Sequence, residues 1–244
     1  MKWTLAVLIA FLSATAAFSQ AAAPNYDAIV AASDRSDADH NTDKRRNPAK
    51  LLGFTGVREG MRVLDMEAGA GYSTELLARA VGPNGVVYAQ DSADVIERQV
   101  KDKFDLRAQK PVMKSVVHVI RNYDDPLPPD VRNLDLITFF FAYHDMTYMQ
   151  VDRAEMNRKL YSALKPGGYL VIADHSAKAG DGTSVGKTFH RIEESVLRQE
   201  VEAAGFRLIA EGDFLRHPED TRDVIVFHAP TPIDEFVLKY KKPQ

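Results

Sequence analysis

The chain has 244 residues, 45% of them hydrophobic and 27% charged, enough to bury one substantial core and short for two domains. A formal net charge of -3 leaves no basic surplus of the kind that neutralising a phosphate backbone requires, so no nucleic-acid partner is expected. There is no cysteine, which excludes a disulfide framework, a thiolate metal site, a cysteine nucleophile and a lipidated cysteine.

Residues 1–21 place one cation, Lys2, before an apolar stretch from Trp3 to about Phe18, followed by small residues at Ser19 and Ala21. That is the layout of a secretory signal peptide and predicts a periplasmic or secreted protein with no stable membrane span after cleavage; an uncleaved anchor is the alternative. Residues 22–50 mix alanine with dense charge and have no sustained apolar face. They are expected to form one or two short helices on the outside of the domain, a potential lid in which the basic cluster Lys44, Arg45 and Arg46 could meet an acidic ligand.

From Met61 onward short β-rich runs alternate with helix-period stretches, the pattern of βαβ units around a parallel sheet. Strands are expected near 61–66, 86–90, 115–120, 134–141, 168–174, 206–211 and 223–228, with helices near 73–81, 92–104, 149–163 and 193–204. The reading is an α/β fold with a Rossmann-like, doubly wound, seven-stranded and mostly parallel sheet over residues 51–230. Residues 231–244 are expected to be a C-terminal tail. Continuous apolar runs such as LDLITFFFA fit strands covered by helices on both faces.

The first strand, MRVLDM, runs into Glu67, Ala68, Gly69, Ala70 and Gly71, and a helix opens at Ser73. Glycines at a strand-to-helix turn let a ligand approach the backbone, and the helix N-terminus presents unpaired N–H groups. Asp91 stands twenty residues later at the end of the next strand, where a carboxylate can accept both hydroxyls of a ribose. Together these features predict a nucleoside-containing ligand.

The ordered set VLDMEAGAGYSTELLARAVGPNGVVYAQD, LDLITFFFAYHD, LYSALKPGGYLVIADH and EESVLRQEVEAAGFRLI resembles the class I S-adenosylmethionine-dependent methyltransferases over roughly residues 50–228. Within them the chain is similar to a group of predicted exported bacterial methyltransferases, through DRSDADH at 34–40, DHSA at 174–177 and HRI at 190–192. The resemblance implies methyl transfer from S-adenosylmethionine to a small-molecule acceptor. It also implies that Asp65, Gly69 and Gly71 line the methionine part of the cofactor, that Asp91 holds the ribose, that Asn122 lies near the adenine, and that Phe141 and Ala142 floor the site beneath the sulfonium. One departure from the family pattern is Glu67, where the first glycine of the D-x-G-x-G-x-G motif is usual. A carboxylate there could face the ligand's amino group or exclude a dinucleotide pyrophosphate, and both outcomes favour S-adenosylmethionine over NAD.

Three histidines fall at or just beyond C-terminal strand ends, His144, His175 and His190, where ligands sit in open α/β sheets. Asp145 and Asp174 adjoin two of them and could orient an imidazole. His144 is expected to act as general base with Asp145 beside it, and His175 and His190 to shape the acceptor site. No metal site is assigned, although three imidazoles and a carboxylate leave one open. Tyr161 and Lys165 mimic the Y-x-x-x-K pair of dehydrogenases, but Pro166 and Gly167 put the lysine at a helix end. A non-catalytic periplasmic protein that binds a nucleoside-like or other small ligand in the same pocket is the alternative to an enzyme.

Overall fold

In a computed structural model the structure describes residues 23–244; the expected signal peptide lies outside the described residues. Three short helices come first: α1 (Tyr26–Val30), α2 (Asp37–Arg46) and α3 (Pro48–Thr55). The alternating part follows with β1 (Arg62–Met66), α4 (Tyr72–Val81), β2 (Val86–Asp91) and α5 (Ala93–Val95). A π-helical turn (Ile96–Val100) then leads into α6 (Lys101–Ala108) and β3 (Val116–Ile120). After β4 (Leu134–Phe140) come α7 (Arg153–Ala163), β5 (Leu164–His175), α8 (Gly186–Phe189), α9 (Glu194–Ala203), β6 (Arg207–Gly212) and β7 (Glu235–Lys241). Among the described residues no helix is long and apolar enough to cross a membrane.

The seven strands form one sheet in the order β3-β2-β1-β4-β5-β7-β6, parallel except for β7, which runs antiparallel to both its neighbours. The period-2 alternation of each strand divides the core between two faces. Leu64, Ile137, Phe139, Leu170, Ile172 and Phe236 meet α7 and α9 through Met156, Leu160, Leu197 and Val201 on one side. Val63, Val87, Leu136, Val171 and Val237 meet α3 and α4 through Leu51, Leu52, Leu76 and Leu77 on the other. Helices on both faces make this the doubly wound arrangement that the continuous apolar runs predicted.

Two expectations at the C-terminal end are corrected. Residues 231–244 are not a tail: Glu235–Lys241 is a strand inside the sheet, and Phe236, Val237, Leu238 and Tyr240 are fully buried. Residues 223–228 are not a strand but a loop ending in a 3-10 turn, Val226–His228, with Phe227 exposed. The run DVIVFH has the higher β propensity, but propensity measures fit to a half-buried pleat, and here the covered slot between β5 and β6 goes to EFVLKYK.

The N-terminal segment also differs from expectation. It forms three helices, and α2, DADHNTDKRR, docks through charge because it has no apolar face to bury. Arg107 on α6 grips Asp39 at 2.8 Å, donates from Nε to Ala70 O at 2.8 Å and pairs with Glu75. Asp43 accepts from Arg35 at 2.7 Å and from the Tyr72 hydroxyl at 2.6 Å. Burial alone would raise the Asp39 carboxyl, but Arg107 outweighs it and holds the group down at about 2. A depressed native value means stability that is complete above about pH 4 and lost as pH falls through about 2, worth roughly 2 kcal/mol for this buried pair. Urea unfolding at pH 5 and pH 2.5 should show that loss in the parent, and a smaller one in Arg107→Ala.

Candidate active site

The chain order reverses between β1 and β4, and the crevice at that switch point is where open α/β sheets take ligands. Here the strand ends enclose a cavity of about 740 Å³ lined by Arg45, Arg46, Glu67, Phe141, Tyr148 and Lys187 together with His144, Asp145, His175 and His190. That volume lies in the usual range for small-molecule sites. An adjoining recess of about 280 Å³ is lined by Ser92, Asn122 and Tyr123, and the two share Asp94, Met149 and Gln150 along their walls.

Strain marks the same place. Among the described residues seven non-glycines have positive φ, and four of them, Glu67 (49°), Phe141 (61°), Gln150 (58°) and His190 (55°), line the larger cavity. Side chains rarely adopt this left-handed region, at a cost on the order of 1 kcal/mol each, so its concentration at one cavity points to function.

Glu67 follows β1 directly, and its Oε2 is buried with no hydrogen-bond partner. Burial, reinforced by Asp145 and Asp91, pushes its carboxyl well above the ordinary range. Arg46 from α2 lines the same cavity, with its guanidinium 4.7 Å from the centroid of the Phe141 ring and a buried Nε that has no partner. Burial, with Arg45 adding repulsion, lowers Arg46 to about 10, which leaves it charged at neutral pH. The cavity lining thus includes a carboxyl oxygen and a guanidinium nitrogen that are buried and lack hydrogen-bond partners.

His144 lies in the 3-10 turn Tyr143–Thr147 after β4. Its Nδ1 donates to Asp174 Oδ1 at 2.7 Å, its backbone N–H to Asp174 Oδ2 at 2.7 Å, and its Nε2 lies 3.0 Å from Asp145 Oδ1. Burial opposes the charge on this ring, but Asp174 and Asp145 outweigh it and raise His144 to about 10. A ring held protonated by two carboxylates is poorly suited to the expected role of general base. His175, adjacent to Asp174 in sequence, is instead buried and held neutral, its value driven well down by desolvation. Its Nδ1 is 3.0 Å from Glu235 Oε1 yet makes no hydrogen bond.

Other expected residues sit elsewhere. Asp65 is fully buried beneath the cavity and accepts from Ser73, Thr74 and Thr138 at 2.9, 2.7 and 2.8 Å, binding the ends of β1, α4 and β4 together. Asp91 is also fully buried and turned inward: Oδ1 accepts the Gly69 N–H at 2.9 Å and Oδ2 meets His118 Nε2 at 3.2 Å. It braces the glycine turn, and a ribose contact would first need the His118 pair to open. A Cβ on Gly71 would come within 2.9 Å of Arg107 and 3.3 Å of Phe104, so this glycine admits the close approach of α6. At Gly69 the space is open, with nothing closer than 4.0 Å. Asn122 lines the smaller recess, and Ala142 is packed in the core.

Glu235 was missed because the sequence reading looked for site residues at strand C-termini. As the first residue of an antiparallel strand it pairs in register with His175, the last residue of β5, and so reaches the same rim. It accepts from Arg45 at 3.0 Å, and burial raises it to about 7 against the pull of Arg45 and Arg46. Tyr148, Lys187 and Phe227 were missed too, since nothing in their spacing distinguishes them from ordinary loop residues.

Close packing holds the rim together. Gly186, which opens α8, lies where a Cβ would meet Thr147 Oγ1 at 2.2 Å and His144 O at 3.0 Å. Thr147 Oγ1 is itself tied to His144 O at 2.7 Å, so it cannot swing aside freely. Gly186→Ala should cost about 1–3 kcal/mol in denaturant unfolding by forcing α8 outward, and should separate the His190 and His144 resonances in NMR spectra from their parent positions.

A strand order of 3-2-1-4-5-7-6 with the cavity at the β1–β4 switch point defines a class I methyltransferase fold. A family profile described as "Methyltransferase domain" matches residues 57–205, and the chain belongs to that family, the S-adenosylmethionine-dependent methyltransferases. The chain is 32% identical over 131 residues to a ubiquinone/menaquinone biosynthesis C-methyltransferase UbiE of Proteus mirabilis (strain HI4320), covering 53% of this chain and 49% of that protein. It is 30% identical over 175 residues to the UbiE of Yersinia pestis (strain Pestoides F), covering 68% and 63%. The chain therefore spans about half to two thirds of the length of these curated relatives. Its fold is shared with a SAM-dependent methyltransferase from Aquifex aeolicus, with a TM-score of 0.60, 20% identity and coverage of 85% of this chain and 100% of that one. The arsenic(III) S-adenosylmethionine methyltransferase CrArsM from Chlamydomonas reinhardtii superposes with a TM-score of 0.57 at 17% identity, covering 92% and 75%.

Proposed function

We propose that the protein transfers a methyl group from S-adenosylmethionine to a small-molecule acceptor held at the rim of the 740 Å³ cavity. The observation that carries this reading is the pair of partnerless groups in the lining of one cavity, Glu67 Oε2 and Arg46 Nε. A methionine moiety presents an ammonium and a carboxylate, the two complements those groups lack. Glu67 would hold the ammonium and Arg46 the carboxylate, and the recess at Ser92, Asn122 and Tyr123 offers room for the adenine.

When bound, the cofactor supplies an electrophilic methyl group on a sulfonium. The chain's own contribution is to hold the acceptor in line and exclude water. Phe141 and Tyr148 give that part of the cavity aromatic walls, and α2 covers it from above through Arg45 and Arg46. His144, fixed through Nδ1 by Asp174, turns its Nε2 toward the acceptor end of the cavity. The names of the UbiE relatives describe C-methylation in quinone biosynthesis, and a planar acceptor suits aromatic walls.

Methyl-labelled S-adenosylmethionine incubated with the protein and a small-molecule extract tests this. Label in the small-molecule fraction, dependent on the protein and reduced in Glu67→Gln, is expected. Label found only on polypeptide, or none transferred, would contradict it.

A further inference from the structure

Three ligand atoms meet at the rim in a closed triangle. His144 Nε2 is 3.2 Å from His190 Nδ1 and 3.0 Å from Asp145 Oδ1, and His190 Nδ1 is 3.3 Å from the same Asp145 oxygen. An ion about 2.0–2.1 Å from each of three tetrahedral ligands would separate them by about 3.3–3.4 Å, so the triangle is within a few tenths of an ångström of a coordination face. Protons satisfy this arrangement poorly, because each ring N–H lies along one line in its ring plane and can address only one of its two neighbours.

Independent features surround it. The other nitrogen of His144 donates to the buried Asp174 at 2.7 Å, the carboxylate–histidine arrangement that fixes tautomer and ring orientation in metal sites. The Tyr148 hydroxyl donates to Asp145 Oδ1, and the His190 ring is wedged against Phe227 with centroids 4.8 Å apart. The buried, partnerless Glu67 Oε2 belongs to the same cavity, and Asp145 is its foremost charged neighbour, so two carboxyl groups crowd this part of the wall.

We propose that His144 Nε2, His190 Nδ1 and Asp145 Oδ1 bind one divalent transition-metal ion of the zinc class, with open coordination positions facing the cavity. Two imidazoles and a carboxylate on one face are the donor set of a catalytic site, not of a closed structural one. The metal takes the place of the His144 Nε2 proton, which leaves to solvent, while Nδ1–H stays on Asp174. Binding does not depend on methyl transfer. Only its use, presenting an acceptor oxygen to the cofactor, rests on the function proposed above.

The test is titration of the chelator-stripped full chain with Co²⁺, followed by its visible d–d absorption, and with Zn²⁺ as competitor. One equivalent of Co²⁺, displaced by Zn²⁺, is expected. His190→Ala and Asp145→Asn should each weaken binding on the order of a hundredfold, with thermal unfolding in chelator close to the parent's. His190 is partly exposed, so its variant is expected to fold. Absence of Co²⁺ absorption, or unchanged affinity in both variants, would overturn the site. S-adenosylhomocysteine titrated in chelator separates the two readings: its binding without metal binding removes the metal site alone, and metal binding without it removes the methyl-transfer reading alone.

Discussion

Asp174→Ala is expected to cost about 3–5 kcal/mol of stability and to free the His144 ring, the largest structural effect of any single change at the site. The carboxylate is fully buried and accepts three hydrogen bonds, from His144 Nδ1, His144 N and His175 N at 2.7, 2.7 and 2.8 Å. Alanine would strand two backbone N–H groups and a charged imidazole in a space closed to water, and each unsatisfied group costs about 1–3 kcal/mol. Asp174→Asn keeps the shape but must turn its NH₂ toward one of the donors, so a smaller loss is expected. Urea unfolding of the two variants beside the parent gives the order; equal stability of all three would mean the carboxylate is not the anchor of the rim.

Glu67→Gln should leave stability nearly unchanged and reduce affinity for S-adenosylmethionine by about 10–100-fold, the worth of one charge-assisted hydrogen bond in a desolvated wall. The substitution keeps the side chain's size and its left-handed backbone, and removes the ability to ionise against a bound ammonium. Glu67→Gly is its complement: it relieves the strain at φ 49°, so a gain on the order of 1 kcal/mol from the backbone is expected alongside the same loss of affinity. If glutamine bound the cofactor as tightly as glutamate, the carboxylate would have no part in holding the ammonium.

Much of the fold was legible because its signals are local. β1, β2, β3, β4 and β6 lie within a residue or two of their expected positions, as does α9, since period-2 and helix-period patterns need no tertiary information. β7 was not legible: EFVLKYK lies at the end of the chain, and only the unfilled slot between β5 and β6 makes it a strand. Helix α2 was equally opaque, because its attachment consists of ion pairs to residues 68 and 190 positions away, Asp39 with Arg107 and Arg45 with Glu235.

At the site, the sequence brought three histidines to one rim and gave one of their partners: Asp145 Oδ1 lies 3.0 Å from His144 Nε2. Adjacency suggested Asp174 for His175 and Asp145 for His144. Asp174 instead serves the ring of a histidine thirty residues earlier, because β4 and β5 are neighbours and their C-terminal ends face each other. Asp91 shows the opposite failure. Its position at the end of β2 is as the family pattern requires, yet its side chain points into the fold, where Gly69 and His118 hold it. Position along a strand fixes which rim a residue reaches, and side-chain partners decide which way it faces.

Calorimetric titration of the protein with S-adenosylmethionine, S-adenosylhomocysteine and NAD in parallel tests the central claim most directly. Binding of one molecule per chain of the first two, with none of the third, is the predicted result. No heat from either methionine-derived ligand, or binding of NAD in their place, would contradict it.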